Sequence, residues 1–324
     1  MRISKSLSGG KRVLAMAALA VSFSAAFAAD YPTRPVELVV AASAGGGTDV
    51  MTRAFADAAR KHFSQPFIVI NKPGAASAVG FGDVANSKPD GYKLSVVTVN
   101  LVILPALNLM KWTSDDFIPI ARLNYDPAAI TVRADAPWKT IEEFLADAKK
   151  RPGAIQLGNG GVGDIWHVAS AALEDKTSTQ FNHVPFQGAA PAILNLLGGH
   201  VDAVSVSPGE VMMHVQSGKL RTLAVMSNQR LGGVFANTPT LKERKIDLAI
   251  GVWRGLAVPK GTPADVVEVL KVAAQKAAAE ASFKDTLAKA NLGEAYLDAT
   301  AFKASIESDR ESFKMVLSKL VIEK

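Results

Sequence analysis

Short apolar runs separated by glycine-rich turns and amphipathic stretches set the pattern of this chain. The run Val36-Glu37-Leu38-Val39-Val40 is too short for a helix and ends in small residues, and three consecutive glycines, Gly45, Gly46 and Gly47, follow it. Thr48 and Asp49 then open a helical pattern in which Met51, Phe55, Ala58 and Phe63 fall on roughly one face. The segment therefore predicts a strand, a glycine turn and a helix N-terminus. The same order recurs at Ala154 to Ala169, where a short strand enters Gly158-Asn159-Gly160-Gly161-Val162-Gly163 and Asp164 stands at the N-cap of an Ala-rich helix.

Between and beyond these units the alternation continues. Phe67–Ile70 and Tyr92–Val99 read as strands, bounded by turns at Asn71-Lys72-Pro73-Gly74 and Lys88-Pro89-Asp90-Gly91. Strands alternating with helices imply parallel βαβ units in an α/β fold. The stretch Phe117 to Leu123, with Ala129 to Val132, marks a crossing into a second lobe. That lobe opens with a helix over 140–150, capped by Thr140 with Glu143 three residues on. Further strands are expected at 179–184, after Gly198-Gly199-His200, and at 220–226, the last near the return to the first lobe. From Pro263 onward the spacing is helical, with Gly293 as the main interruption.

The first 28 residues change the picture of size and charge. Arg2, Lys5, Lys11 and Arg12 precede a short apolar core, and Ala26-Phe27-Ala28 is an A-x-A cleavage site, the signature of a secretory signal peptide. The apolar core falls short of the roughly 20 residues a membrane span requires, and no later run is longer. The expected location is the bacterial periplasm. Removing the four basic residues of the leader takes the net charge from +6 to +2, so the sequence pI of 9.4 overstates the basicity of the mature chain. With no Lys/Arg cluster among aromatics, nucleic-acid binding is not expected. The absence of cysteine leaves neither a lipidation site nor a disulfide framework.

The candidate chemistry lies in the two glycine turns. Free N–H groups in a helix's first turn and a partial positive charge suit an anion, and glycine allows close backbone approach. Asp49 and Asp164 complicate this, since a carboxylate there satisfies those N–H groups itself. Both can be caps turned away from a cleft; alternatively Asp164 faces a ligand and accepts from an ammonium, amide or hydroxyl group. His167, just after the second turn, either packs beneath the loop and bonds backbone or reaches the ligand. Phe186-Gln187-Gly188 and Asp202 reach the cleft or form structural turns. The five histidines form no H-x-x-x-H pair, so no metal site is expected. Gly158 to Gly163 fits G-x-G-x-x-G, which raises a secreted NAD-type oxidoreductase as an alternative, yet the following strand ends without the acidic residue a ribose requires. Neither an enzyme nor a cofactor is the favoured reading.

Taken together, Tyr31-Pro32, Gly45-Gly46-Gly47-Thr48-Asp49, Asn71-Lys72-Pro73-Gly74-Ala75, Lys88-Pro89-Asp90-Gly91-Tyr92, Asp116-Phe117-Ile118-Pro119, His183-Val184-Pro185-Phe186-Gln187-Gly188, Leu197 to Asp202, Gly218 to Val225, Trp253-Arg254-Gly255-Leu256 and Pro259-Lys260-Gly261-Thr262-Pro263 resemble the solute-binding receptors of tripartite tricarboxylate transporters, the Bug family. The resemblance spans essentially the whole mature chain. It implies a two-lobed, type II-like Venus-flytrap fold, with lobe one at 30–124 plus 247–324 and lobe two at 125–246. It further implies a monomer that closes on a small carboxylate-bearing solute and hands it to two integral membrane subunits. A ligand-sensing adaptor of the same fold is a further alternative. The positions implied at the ligand are Ser43, Ala44, Gly45, Gly46, Gly47, Thr48 and Asp49 from the first turn, and Ala42, Ala76 and Ser77 are candidates beside them. From the second turn they are Asn159, Gly160, Gly161, Gly163 and Asp164; His167 and Asp202 complete the candidate set. The chain departs from the family pattern at Ala41 and Ala42, where a Pro and an aromatic are usual, at Ala76 and Ser77, and at Asp164 and Trp166, where smaller residues are usual.

Overall fold

The computed structural model describes residues 31–318, so the expected leader lies outside them. In chain order the strands are β1 (Val36–Val40), β2 (Phe67–Asn71), β3 (Lys93–Thr98), β4 (Phe117–Pro127), β5 (Ala129–Arg133), β6 (Gln156–Asn159), β7 (Asn182–Pro185), β8 (Ala203–Val206), β9 (Leu220–Val225), β10 (Gly251–Pro259) and β11 (Glu294–Asp298). They form two sheets, ordered β11-β4-β10-β3-β1-β2 and β7-β6-β8-β5-β9, each flanked by helices, so the α/β, two-lobed expectation holds.

Burial on both faces explains the continuous apolar character of β1, in which Val36, Leu38, Val39 and Val40 are all inaccessible to solvent. It pairs in parallel with β2 and β3, and β6 pairs in parallel with β7 and β8. Each sheet is nevertheless mixed rather than wholly parallel. β10 runs against β3 and β4, and β5 runs against β8 and β9. An antiparallel strand can leave one sheet and continue straight into the other, and these strands carry the chain between lobes.

The crossing lies between the two stretches that mark it. Residues 117–123 belong to one long strand, β4, that stays in the first sheet to Pro127. The sheets change at Ala128, whose N–H donates to Ile250 O at 2.9 Å and whose carbonyl accepts from Met226 N at 2.8 Å. Three chain segments are thus bonded side by side where the chain passes between the sheets. The strand at 220–226 is an edge of the second sheet.

The C-terminal region is not purely helical. Glu294–Asp298 joins β4 as an antiparallel edge strand. It enters through Gly293, where a β-carbon would stand 2.2 Å from Tyr125 O, so only glycine permits the approach. The Ala299–Leu317 helix then lies back across the hinge. Trp253 Nε1 donates to Asp309 Oδ2 at 2.7 Å, and Phe302 meets Trp253 edge-on with centroids 5.1 Å apart. Elsewhere local signals behave as read. Thr140 and Glu143 form a reciprocal capping box, and Asp164 caps its helix by accepting from His167 N at 2.8 Å.

Candidate functional site

The loops beyond the carboxyl ends of β1, β2 and β3 face those beyond β6, β7 and β8 across a cavity of about 980 Å³. This is where ligands sit in open α/β sheets. Residues 41–44, Gly46 and Thr48 line it after β1, residues 73–77 after β2, and Thr98 and Asn100 after β3. The second lobe supplies residues 160–162, 164–166, 185–191, Leu194 and Glu210, while Val252 and Arg254 of β10 contribute from the hinge side. Small and apolar side chains dominate the lining; Asp164, Glu210 and Arg254 are its charged members.

Three hydrogen bonds span the lobes around this cavity. Ser43 Oγ donates to Gln187 O, Gly47 N donates to Glu210 Oε1 at 2.9 Å, and Ile165 N donates to Asn100 Oδ1 at 2.9 Å. The Glu210 contact places a second-lobe carboxylate on the N-terminus of the Gly47–Ala59 helix, where anions are favoured. Its other oxygen accepts from Ser207 N at 3.1 Å and Ser207 Oγ at 3.0 Å, so one side chain caps its own helix and bridges to the opposite lobe.

Arg254 is 1 % exposed and is bound on several sides. Nη1 donates to Asp126 Oδ2, which is buried in β4, and Nε donates to Thr48 Oγ1 at 2.8 Å. Asp126 Oδ1 in turn accepts from Gly293 N at 2.7 Å. The network joins β10, β4, the first helix and the turn into β11.

Of the candidate residues, Ala42, Ser43, Ala44, Gly46, Thr48, Ala76, Ser77, Gly160, Gly161 and Asp164 line the cavity. Gly45, Gly47, Asp49, Asn159, Gly163, His167 and Asp202 do not. Asp49 turns into its own lobe, accepting from Gly45 N and from Arg53 and Asn71 side chains at 3.0 Å each. Burial alone would raise its carboxyl, but the Arg53, Gly45 and Asn71 bonds outweigh that and hold it below the usual carboxylate range. Asn159 Oδ1 is spent on Gly161 N beneath the turn. Gly163 presses against Leu107 and Leu109 of the opposite lobe. Asp202 sits before β8, accepting from Gln156 N at 2.8 Å, at the opposite end of these parallel strands from the cavity. The cavity-facing acid of this strand is Glu210, which follows β8.

His167 is likewise not a lining residue. Its Nδ1 accepts from Gly163 N at 3.0 Å, a bond to a backbone donor rather than to a carbonyl, and its ring packs 4.5 Å from that of His183. Burial, with the nearby His183, pushes its pKa down to about 4. Asp164 does line the cavity. Gly160 makes room for it, since a β-carbon there would stand 2.0 Å from Asp164 Oδ2. Burial, reinforced by the charge of Glu210, pushes its pKa up to about 7 against hydrogen bonds from backbone N–H groups. The turn at Ala75, Ala76 and Ser77 has φ values of 46°, 51° and 92°, a left-handed run costing roughly 1–2 kcal/mol per non-glycine residue. Such strain at a cleft wall fits a functional turn.

Several lining residues escaped the sequence reading. Asn100 and Glu210 follow strand ends and carry no special local signature, apart from the Ser207–Glu210 capping box. Arg254 stood only among the family-like motifs. The G-x-G-x-x-G pattern does not build a dinucleotide site: Gly158 lies within β6, Asp164 occupies the helix N-terminus a pyrophosphate would use, and β7 ends at Pro185 without an acid.

The sequence profile of the tripartite tricarboxylate transporter family receptor matches residues 51–321. A Cupriavidus necator protein, described as the UPF0065 protein in the gbd 5′ region, is 33 % identical over 300 residues, covering 91 % of this chain and 90 % of the relative. Among solved structures, a TctC solute-binding protein from Polaromonas, determined without ligand, is 56 % identical and covers 90 % of this chain and 100 % of its own, with a TM-score of 0.67. The periplasmic binding protein BugD is 30 % identical, covers 91 % and 100 %, and gives a TM-score of 0.85.

Two outcomes test this geometry. Replacing Arg254 by Met strands Asp126 as a buried unpaired charge and is expected to cost about 3–5 kcal/mol in urea unfolding, whereas Arg254→Met combined with Asp126→Leu recovers most of it. A double variant no more stable than the single one would contradict the pairing. The second concerns pH. Asp164 holds a proton when folded that the unfolded chain, with an ordinary value of 3.8, releases; its contribution to stability is therefore lost as pH rises from about 4 through about 7. His167 acts oppositely: its folded value is depressed from 6.5, so its contribution is lost as pH falls towards 4. In denaturation midpoints of the refolded chain, the advantage of Asp164→Asn over the parent should grow between pH 4 and 7 and then level off.

Proposed function

This chain belongs to the tripartite tricarboxylate transporter receptor family, and on that premise we propose that it captures a small carboxylate-bearing solute in the cleft between its lobes for delivery to integral membrane transporter subunits. The observation that carries the reading is the cavity of about 980 Å³, walled by the loops of both sheets and bridged by Ser43–Gln187, Gly47–Glu210 and Asn100–Ile165. A volume of this order suits a small organic molecule.

The ligand carboxylate is placed against Ser43 to Gly46 and the strained Ala75 to Ser77 turn, where backbone N–H groups and small side chains allow close approach. Capture brings the lobes together about Ala128 and the 226–251 return, excluding water and forming the three bridging bonds. A pattern in the structural likenesses supports a hinge. The 56 % identical Polaromonas chain, solved without ligand, superposes less well than the 30 % identical BugD, as a change of angle between two similar lobes would produce.

The chain acts as a binding protein rather than an enzyme, as a monomer, in the periplasm after loss of residues 1–28. Asp164 at the head of its helix and the lack of an acid after β7 weigh against the dinucleotide alternative.

The test is a thermal-shift screen of the mature chain, refolded to strip carried-over ligand, against organic acids with amines, sugars and nicotinamide dinucleotides as controls. A binding carboxylate should raise the midpoint with concentration, by the equivalent of about 2.7 kcal/mol at a hundred times its Kd. A response to dinucleotides alone would contradict the proposal.

A further inference from the structure

The charges around the cleft are unbalanced for a plain dicarboxylate. Of the three charged lining residues, Arg254 is already neutralised by Asp126 and spends its Nε on Thr48. Glu210 and Asp164 remain, and both are acids. Glu210 has both oxygens engaged, by Gly47 N and by the N–H and hydroxyl of Ser207. Asp164, 5 % exposed, accepts from His167 N with Oδ1 and also faces the backbone N–H groups of Trp166 and Gly160 while lining the cavity.

The helix ends give a dianion little help. Asp49 and Glu210 already accept from Gly45 and Gly47 at the head of the Gly47–Ala59 helix, and Asp164 caps the Ile165–Thr177 helix. One ligand carboxylate can be placed on the Ser43–Gly46 and Ala75–Ser77 side. A second, across the cavity, would meet Glu210 and Asp164, two acids that already accept from the protein's own donors, while Arg254, the cation among the described lining residues, is paired with Asp126. Capping alone does not explain Asp164, because Asn or Ser caps a helix about as well without burying a charge.

We infer that the solute selected by this cleft carries a protonated amine in addition to its carboxylate, and that Asp164, backed by Glu210, is the specificity-determining residue that receives it. This rests on the carboxylate-receptor reading above. A cationic ligand group supplies the counter-charge that the cavity lacks. The upward shift of the Asp164 carboxyl comes first from burial and then from the nearby charge of Glu210, and a ligand ammonium would offset both.

The experiment is calorimetric titration of the refolded mature chain with straight-chain diacids of four to six carbons and with amino acids matched in length, both ω-amino acids and α-amino diacids. At least one amino-bearing acid is expected to bind tenfold or more tightly than its diacid counterpart. Asp164→Asn keeps size and cap acceptor, and should reduce that preference at least tenfold; Asp164→Ser provides a second variant if the first folds poorly. A diacid binding as tightly as its amino counterpart in the parent protein overturns the inference while upholding the carboxylate reading. A preference unchanged in a folded Asp164 variant overturns the role of that residue. Binding of simple primary amines, with no acid of either series bound, overturns the carboxylate reading itself.

Discussion

The buried pair of Arg254 and Asp126 is the contact on which the arrangement of the cleft depends. Burying either charge alone would cost several kcal/mol, so each fixes the other. Because Arg254 sits on the strand returning from the second lobe and Asp126 on the strand leaving the first, their pairing sets the two hinge strands in register. Thr48 and Gly293 extend the constraint to the first glycine turn and the terminal edge strand. These contacts tie the floor of the cleft together, and the proposed closure would turn the lobes about Ala128.

Above that floor, function follows from what small residues leave open. Alanines and glycines along the first turn, and the left-handed Ala75–Ser77 turn, bring backbone close to the cavity without filling it. The same turns would attract any anion were their helix ends unoccupied, yet Asp49, Asp164 and Glu210 already hold them. On the proposed reading, selectivity in this cleft depends on how much positive character the protein's own carboxylates leave for a ligand.

The legible features were local ones. The glycine turns, the Thr140–Glu143 box and the Asp164 cap depend on residues within a few positions of one another, and the structure forms them as read. Features that depend on distant pairing were not legible. Arg254 gains its role only because β10 lies antiparallel to β4, and Glu210 gains its role only because the second lobe meets Gly47. Glu294–Asp298 reads as helical in the sequence because its strand partner lies some 170 positions earlier, and Ala-rich helices flank it. Asp202 was misplaced for a directional reason: it stands at the entry of β8, and the cleft lies at the exit. Family resemblance reached the architecture but not the contacts that Arg254 and Glu210 make across the fold.

The most direct measurement is a crystal structure of the mature chain soaked or co-crystallised with the tightest-binding acid. The account predicts a carboxylate within hydrogen-bond distance of Ser43 to Gly46 or the Ala75–Ser77 turn, enclosed by residues 160–164 and Glu210. Density for the acid outside the interlobe cavity, such as in the pocket of about 270 Å³ between Tyr125, Trp253 and Asp309, would contradict it.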